Sequence, residues 1–265
     1  MNMLEKYDRR VDAVNSLVCV GLDSDIELIP KSFLGKEFPQ FEFNKHIIEA
    51  THDLVSAYKP NIAFYESRGD RGFRELKMTM DYLRERHPDI VTICDAKRGD
   101  TATTNVQYAK TLFDWFGFDA ATVNPYMGHE PLAPFLGRKD KGCIVVCRTS
   151  NPGAPEIQDL KVGEKPLWQI VAEKVRDDWN ANGNCLLVVG ATYPEEMRIL
   201  RNLVGDITFL IPGIGAQGGD IEAMVRAGLN SKKKGMIIAS ARGFIFAEDP
   251  RKEVLRAKEQ INALR

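Results

Sequence analysis

Acidic and basic side chains alternate at the end of one apolar run near the middle of the chain. The run begins at Ile90 and contains Asp95 and Lys97, and Asp100 stands on the turn that follows. A short β-branched run predicts a buried strand, and residues two apart on a strand project from the same face. Asp95 and Lys97 are therefore expected side by side. An ion pair would by itself explain why a buried acid lies beside a buried base, but the second carboxylate nearby, Asp100, favours a functional site.

Eight apolar runs of strand length recur along the chain, most of them followed by helical periodicity. The predicted strands are 17–23, 58–64, the third from 90, 120–125, 143–148, 185–189, 207–212 and 235–240, and an amphipathic helix over 4–14 precedes them. Continuous apolar runs are typical of parallel strands covered on both faces. The count and the length of 265 residues predict a single-domain (β/α)8 TIM barrel over residues 1–265 with an extra N-terminal helix. An open doubly wound sheet is the competing architecture.

Composition excludes several classes of protein. A formal net charge of -1 argues against nucleic acid or an anionic membrane as the main partner. No run reaches the roughly 18 apolar residues of a membrane-spanning helix, and the first residues lack the apolar centre of a signal peptide. The five cysteines are odd in number and include no CxxC pair, which argues against disulfides or a zinc site. A cytoplasmic protein is the expectation.

Polar residues stand at the predicted carboxyl ends of most strands, where active sites of such barrels gather. They are Asp23, Lys59, Asn61, Asp95, Lys97, Asp100, Asn124, Ser150, the segment 212–219 and Arg242. Lysines and aspartates alternating around one barrel mouth predict an ion network that serves catalysis. A network that only closes the barrel is the structural alternative, and Asp100 could in addition cap the next helix.

A glycine-rich segment follows the seventh predicted strand and includes Gly213, Gly215 and Gly218. The spacing matches a dinucleotide fingerprint, but no acidic residue lies about 20 positions further on to bind a ribose. The segment is better interpreted as an anion cradle of backbone N–H groups, with Arg242 as a charged donor. Barrel phosphate sites are commonly built from these two loops, so a phosphate monoester is the predicted ligand group. A purely structural glycine turn is the alternative.

A long polar loop, 149–165, follows the fifth predicted strand and begins with Thr149 and Ser150. Long loops at a barrel mouth are usually functional, often as lids. Ser150 could donate or accept hydrogen bonds with a polar ring, although a simple turn would use the same residues.

These residues together resemble one family. Asp95-Ala96-Lys97-Arg98-Gly99-Asp100 followed by Thr104 resembles the DxKxxDxxxT signature of orotidine 5′-phosphate decarboxylase. The resemblance extends over essentially the whole chain and includes 21–23, 59–61, 150–153, 212–219 and Arg242. The chain length and the sequence around Lys97 are similar to those of the longer, type 2 branch of that family. DxKxxD alone is shared with phosphosugar decarboxylases and synthases, whereas the combination is specific.

The resemblance implies cofactor-independent decarboxylation of orotidine 5′-phosphate to uridine 5′-phosphate in de novo pyrimidine biosynthesis, without a metal, by a homodimer. It implies that Lys97 stabilises and protonates the ring carbanion, and that Asp95 and Asp100 flank it. It implies that the ribose is bound by Lys59, Asp23 and Asn61, and the pyrimidine by Ser150 and Gln217. The phosphate would be bound by Gln217, Arg242 and the segment from Pro212. The site of the neighbouring subunit would be reached by Asp100, Thr101 and Thr104.

Three other functions stay open at this point. A metal-dependent phosphosugar lyase on the same barrel would lose its activity to a chelator. A Schiff-base aldolase would be trapped on Lys97 by borohydride, although flanking aspartates favour a protonated, non-nucleophilic lysine. A non-catalytic nucleotide-binding barrel would bind a monophosphate without turnover.

Overall fold

The structure, a computed structural model, describes residues 1–213 and 221–265. The strands in these ranges are β1 Val18–Gly21, β2 Ala57–Lys59, β3 Val91–Arg98, β4 Ala120–Val123, β5 Gly142–Arg148, β6 Lys161–Val162, β7 Lys165–Pro166, β8 Cys185–Val189, β9 Phe209–Pro212 and β10 Met236–Ser240. The helices are α1 Met3–Val14, α2 Lys31–Leu34, α3 Pro39–Thr51, α4 Ala63–Glu66, α5 Gly69–Arg86, α6 Ala102–Ala109, α7 His129–Leu136, α8 Pro155–Gln158, α9 Leu167–Lys174, α10 Pro194–Val204, α11 Ile221–Gly228, α12 Arg242–Ile245 and α13 Pro250–Asn262. Two π-helical segments, Lys110–Trp115 and Val175–Trp179, continue α6 and α9.

Eight strands close into one parallel barrel in the order β1-β10-β9-β8-β5-β4-β3-β2. The remaining two, β6 and β7, form a small antiparallel hairpin in the loop after β5. The barrel strands are buried along most of their length, as their continuous apolar runs require, and their side chains belong to one hydrophobic core. The prediction of a single-domain (β/α)8 TIM barrel is confirmed.

The extra N-terminal helix is also confirmed, and it covers the amino ends of the strands. Asn2 and Glu5 form a capping box at the start of α1. The hydroxyl of Tyr7 donates to the carbonyl of Met236 at the start of β10, and Lys6 pairs with Asp119 just before β4 at 2.8 Å. With Met3, Tyr7 and Val11 buried, α1 closes this end of the barrel and leaves the carboxyl ends of the strands for the site.

Some boundaries differ from the sequence expectation. The second strand, predicted over 58–64, ends at Lys59 because Pro60 follows it, and a proline has no N–H for a sheet hydrogen bond. Asn61 then accepts a hydrogen bond from the Ala63 N–H through its side chain, which begins the turn into α4. The loop 149–165, predicted as irregular, contains α8 and the β6–β7 hairpin.

Candidate active site

The Asp95 carboxylate lies between two ammonium groups at the carboxyl ends of β2 and β3. Its Oδ2 accepts a hydrogen bond from Lys59 Nζ at 2.9 Å, and its Oδ1 accepts one from Lys97 Nζ at 2.6 Å. Asp95 and Lys59 are 9% and 5% exposed, whereas half of the Lys97 side chain faces solvent. The ammonium group of Lys97 is therefore the most accessible of the three charges.

Register places Lys59 beside Asp95. Lys59 is the last residue of β2, and beyond it the Asp95 N–H donates to the carbonyl of Pro60 while the Ile62 N–H donates to the carbonyl of Asp95. The two chains thus stay adjacent past the end of the strand, with Asn61 opposite Asp95. The position of Lys59 near the start of a strand, assumed from the sequence, is wrong.

Lys59, Asp95 and Lys97 form a row of alternating charges, in which the neighbouring charges favour the ionised forms of Asp95 and Lys59. Burial by itself raises the pKa of a carboxyl, but the charges of Lys59 and Lys97 and their hydrogen bonds outweigh burial and hold the pKa of Asp95 well below its usual range. Burial by itself lowers the pKa of an amine, yet Asp95 and Asp23 together raise the pKa of Lys59. At neutral pH, both Asp95 and Lys59 are charged.

Asp23 joins the row from β1, two residues past the end of that strand. Its Oδ1 lies 3.9 Å from Lys59 Nζ, and this buried oxygen has no hydrogen-bond partner among residues 1–213 and 221–265. Burial raises the pKa of Asp23, and the nearby charge of Lys59 opposes that rise. An acceptor buried without a partner at the strand ends is suited to a hydroxyl group of a ligand.

Asp100, Thr101 and Thr104 lie beyond β3 and outside the row of charges. Asp100 Oδ1 accepts a hydrogen bond from the Thr101 N–H at 2.7 Å, and the hydroxyls of Thr101 and Thr104 are 3.3 Å apart. Asp100 forms no ion pair with any residue that the structure describes. The N-cap of α6 is Thr101, so Asp100 does not hold that position.

The structure describes three of the four residues predicted to contact the pyrimidine or the phosphate: Ser150, Pro212 and Arg242. Ser150 is half-buried just after β5, and Gly190 lets it approach β8, since a Cβ on that glycine would lie 2.9 Å from the Ser150 nitrogen. Pro212 ends β9, and Arg242 is exposed at the start of α12, close enough for its charge to lower the pKa of Asp23 slightly against the effect of burial. Gln217 lies outside the described residues.

A cavity of about 660 Å³ adjoins this region between the loops that follow β4 and β5. Its lining residues include Asn124, Tyr126, Asn151 and Trp168. They do not include the charged residues Lys59, Asp95 and Lys97. The described part of the chain contains no cluster of three or more His, Cys, Asp or Glu side chains arranged to hold a metal ion. It also has no helix with the length and apolar character needed to cross a membrane.

Thr122 on β4 also contacts the site, although it was not among the residues predicted from the sequence. Its hydroxyl donates to Asp95 Oδ1 at 3.1 Å and accepts from the backbone N–H groups of Ala96 and Lys97. The available signal was a single polar residue inside the apolar run of β4, which is too common in strands to have singled it out.

A sequence model of the "Orotidine 5'-phosphate decarboxylase / HUMPS family" matches residues 16–257. The chain belongs to this family. Family relatives resemble it over their full length: the orotidine 5′-phosphate decarboxylase of Cellvibrio japonicus is 46% identical over 274 residues, covering 100% of both chains. The Leishmania donovani OMP decarboxylase structure has a TM-score of 0.89 at 38% identity and covers 100% of this chain and 98% of its own.

The decarboxylase family also includes larger proteins. The structure of Leishmania donovani UMP synthase has a TM-score of 0.91 at 40% identity and matches 100% of this chain. The chain spans 56% of that protein's length. The likeness to these structures agrees with the closed barrel described above.

Proposed function

We propose that the protein decarboxylates orotidine 5′-phosphate to uridine 5′-phosphate without a metal or organic cofactor, as a step of de novo pyrimidine biosynthesis. The observation that carries this proposal is the row Lys59, Asp95 and Lys97 at the strand ends of a barrel of the decarboxylase family, in which Lys97 is the most exposed of the three side chains.

Lys97 supplies the chemistry. When the bond between the ring carbon and the carboxylate breaks, CO2 leaves and its bonding electron pair remains on the ring carbon, which has no electron sink. An ammonium group fixed beside that carbon stabilises the developing charge and then donates its proton, forming the new C–H bond. The amine left behind regains a proton from water. Asp95 Oδ1 accepts a hydrogen bond from Lys97 Nζ at 2.6 Å and so holds this ammonium group in position.

The other site residues bind the parts of the substrate that do not react. Asp23, Lys59 and Asn61 contact the ribose hydroxyls, and the buried, unpartnered Oδ1 of Asp23 supports this assignment. Ser150 and Gln217 contact the pyrimidine. Gln217, Arg242 and the segment from Pro212 bind the phosphate, and binding energy from this distant group contributes to the rate by closing the site.

The active form is a homodimer in which Asp100, Thr101 and Thr104 reach the site of the neighbouring subunit. The support is that Asp100 lies two residues past the end of β3, yet has no ion pair with any described residue of its own chain. A carboxylate so placed is available to a second copy of the chain. The small-molecule partners are the substrate, orotidine 5′-phosphate, and the product, uridine 5′-phosphate, and the proposal includes neither nucleic acid nor a membrane.

The protein functions in the cytoplasm. All five cysteines are free and buried in the barrel, which suits a reducing compartment where thiols stay unpaired.

A spectrophotometric decarboxylation assay in the presence of EDTA tests the function. We expect turnover of orotidine 5′-phosphate by the wild type, an undetectable rate for Lys97→Ala, and an unchanged rate for Lys252→Ala, which removes an exposed lysine from α13. Absence of turnover by the wild type would refute the activity. Loss of turnover with EDTA that magnesium restores would point instead to a metal-dependent lyase.

A further inference from the structure

The pairing of β3 with β4 is interrupted at the catalytic residues. Cys94 pairs with Ala121 and Arg98 pairs with Val123, so three residues of β3, Asp95 to Lys97, face a single residue of β4. That residue is Thr122, which is 1% exposed. Bulges of this kind re-aim side chains next to active sites, and this one sets the directions of both Asp95 and Lys97.

The Thr122 hydroxyl fills the bulge and uses its whole hydrogen-bonding capacity there. Its oxygen accepts from the backbone N–H groups of Ala96 and Lys97, each at 2.9 Å, and its hydrogen is donated to Asp95 Oδ1 at 3.1 Å. A hydroxyl has one hydrogen and two lone pairs, so each of the three is occupied. One group thus connects the backbone of the bulge to the catalytic carboxylate.

The backbone at Lys97 needs this support. Lys97 has a φ of 46°, in the left-handed region that residues with a Cβ rarely adopt. Two successive N–H groups converge on one oxygen here, and a hydroxyl between them supplies the acceptor that the bulge removes from the strand ladder. Without it, both of these partly buried N–H groups would lose their acceptor, and the extended conformation of Lys97 would compete.

We propose that Thr122 is a positioning residue for the decarboxylation: its hydroxyl holds the β3 bulge, and through it the Asp95 carboxylate and the Lys97 ammonium, in the reactive arrangement. This inference rests on the role proposed for Lys97. Thr122 acts through these two residues, and its side chain is not assigned any contact with the substrate.

Thr122→Val and Thr122→Ser form a matched pair for the test. Valine keeps the shape and loses the hydroxyl, whereas serine keeps the hydroxyl and loses the methyl group. Thr92→Val is the control, because Thr92 is a buried threonine of the same strand pair whose hydroxyl donates to Asp119 at the opposite end of the barrel. For each variant, kcat and KM for orotidine 5′-phosphate, the Kd of uridine 5′-phosphate by calorimetry, and the thermal midpoint are measured.

For Thr122→Val we expect kcat to fall on the order of 100-fold, the loss that a displacement of about 1 Å produces. Its KM and its Kd for uridine 5′-phosphate should change by less than about threefold, since the binding groups stay in place. Thr122→Ser should keep kcat within about threefold of the wild type. Thr92→Val should lower only the thermal midpoint.

Wild-type kcat in Thr122→Val would overturn the proposal, as would an equal loss of kcat in Thr92→Val, which would indicate general loosening of the barrel. If Thr122→Val does not fold, Thr122→Ala provides the same comparison against serine. Lys97→Ala distinguishes failure of the role proposed for Lys97 from failure of the role proposed for Thr122. An active Lys97→Ala variant would refute the role of the lysine. An inactive Lys97→Ala variant together with a fully active Thr122→Val variant would refute only the positioning role of Thr122.

Discussion

At the scale of the residue, the Asp95 carboxylate connects the charged groups of the site. Both of its oxygens accept hydrogen bonds, from Lys59 on one side and from Lys97 and Thr122 on the other. Lys59 is almost fully buried, so its ammonium has lost most of its hydration, and Asp95 compensates for that loss. The carboxylate therefore contributes to folding, in addition to the part in catalysis that we propose for it.

Replacing Asp95 by Asn should leave two ammonium groups facing a neutral amide. We expect the free energy of unfolding to fall by about 3 kcal/mol at pH 7, as when one member of a buried ion pair is removed. Urea denaturation of both proteins measures the difference. Asp114→Asn, which removes an exposed partner of Arg138, serves as control and should change stability little.

The same comparison has a predictable pH dependence. Because the folded-state pKa of Asp95 is lowered, its contribution is present above the usual carboxyl pKa of 3.8 and is lost only as the pH falls below that value. The difference between the wild type and Asp95→Asn should thus stay constant from about pH 5 to 8. A difference that shrinks between pH 7 and pH 5 would contradict the charge assignment.

At the scale of the element, one buried arginine ties the loop after β5 to the next unit of the barrel. Arg148, the last residue of β5, is 1% exposed, and it pairs with Glu196 of α10 and with Asp159 of the loop at 3.2 Å. Its guanidinium also lies over the ring of Tyr193 at 4.4 Å. The Gly190 N–H donates to the Arg148 carbonyl at 2.8 Å, which brings the start of the loop against the end of β8.

Gly190→Ala should therefore displace Ser150. The added Cβ would lie 2.9 Å from both the Cβ and the nitrogen of Ser150, and a backbone nitrogen cannot rotate away. Loss of the hydrogen bond that we propose between Ser150 and the pyrimidine would cost about 0.5–1.5 kcal/mol, so KM should rise by up to about tenfold. Gly35→Ala is the control, because nothing lies within 4 Å of its added Cβ. Steady-state kinetics with a wild-type KM for Gly190→Ala would contradict the placement of Ser150.

At the scale of the whole molecule, the barrel brings together residues from one chain, while the proposed dimer would place Asp100 at the site of the second subunit. In a twofold dimer each site would combine Lys97 of one subunit with Asp100 of the other, since the interface is the same patch on both. A mixture of two inactive variants can then form dimers that contain one intact active site.

Lys97→Ala and Asp100→Ala should each be inactive alone, and a mixture after subunit exchange should recover about a quarter of wild-type activity. At random exchange half of the dimers are mixed, and in those one of the two sites is intact. Mixing Lys97→Ala with Asp95→Asn is the control, since both residues belong to the same subunit's site and no intact site can form. No recovery in the first mixture would refute the shared site.

How far the sequence predicts the site depends on the distance along the chain between its members. Asp95 and Lys97 could be paired from the sequence, because residues two apart on a strand share a face whatever the tertiary structure. Lys59 was included as a residue of the second predicted strand, but that strand was predicted over 58–64. Lys59 was thus placed near its start instead of at its end, since the apolar run continues past Pro60 and hides the break. Thr122 was missed, because nothing local indicates that a threonine faces a bulge of another strand.

The sequence by itself determined the eight-strand pattern, the N-terminal helix and the charged end of β3, since periodicity and spacing are local properties of the chain. Only the tertiary structure decided that Lys59 meets Asp95 across 36 residues, that Asp23 approaches them, and that Thr122 fills the bulge. These contacts depend on register and on closure of the barrel, which the packing of all eight strands sets together.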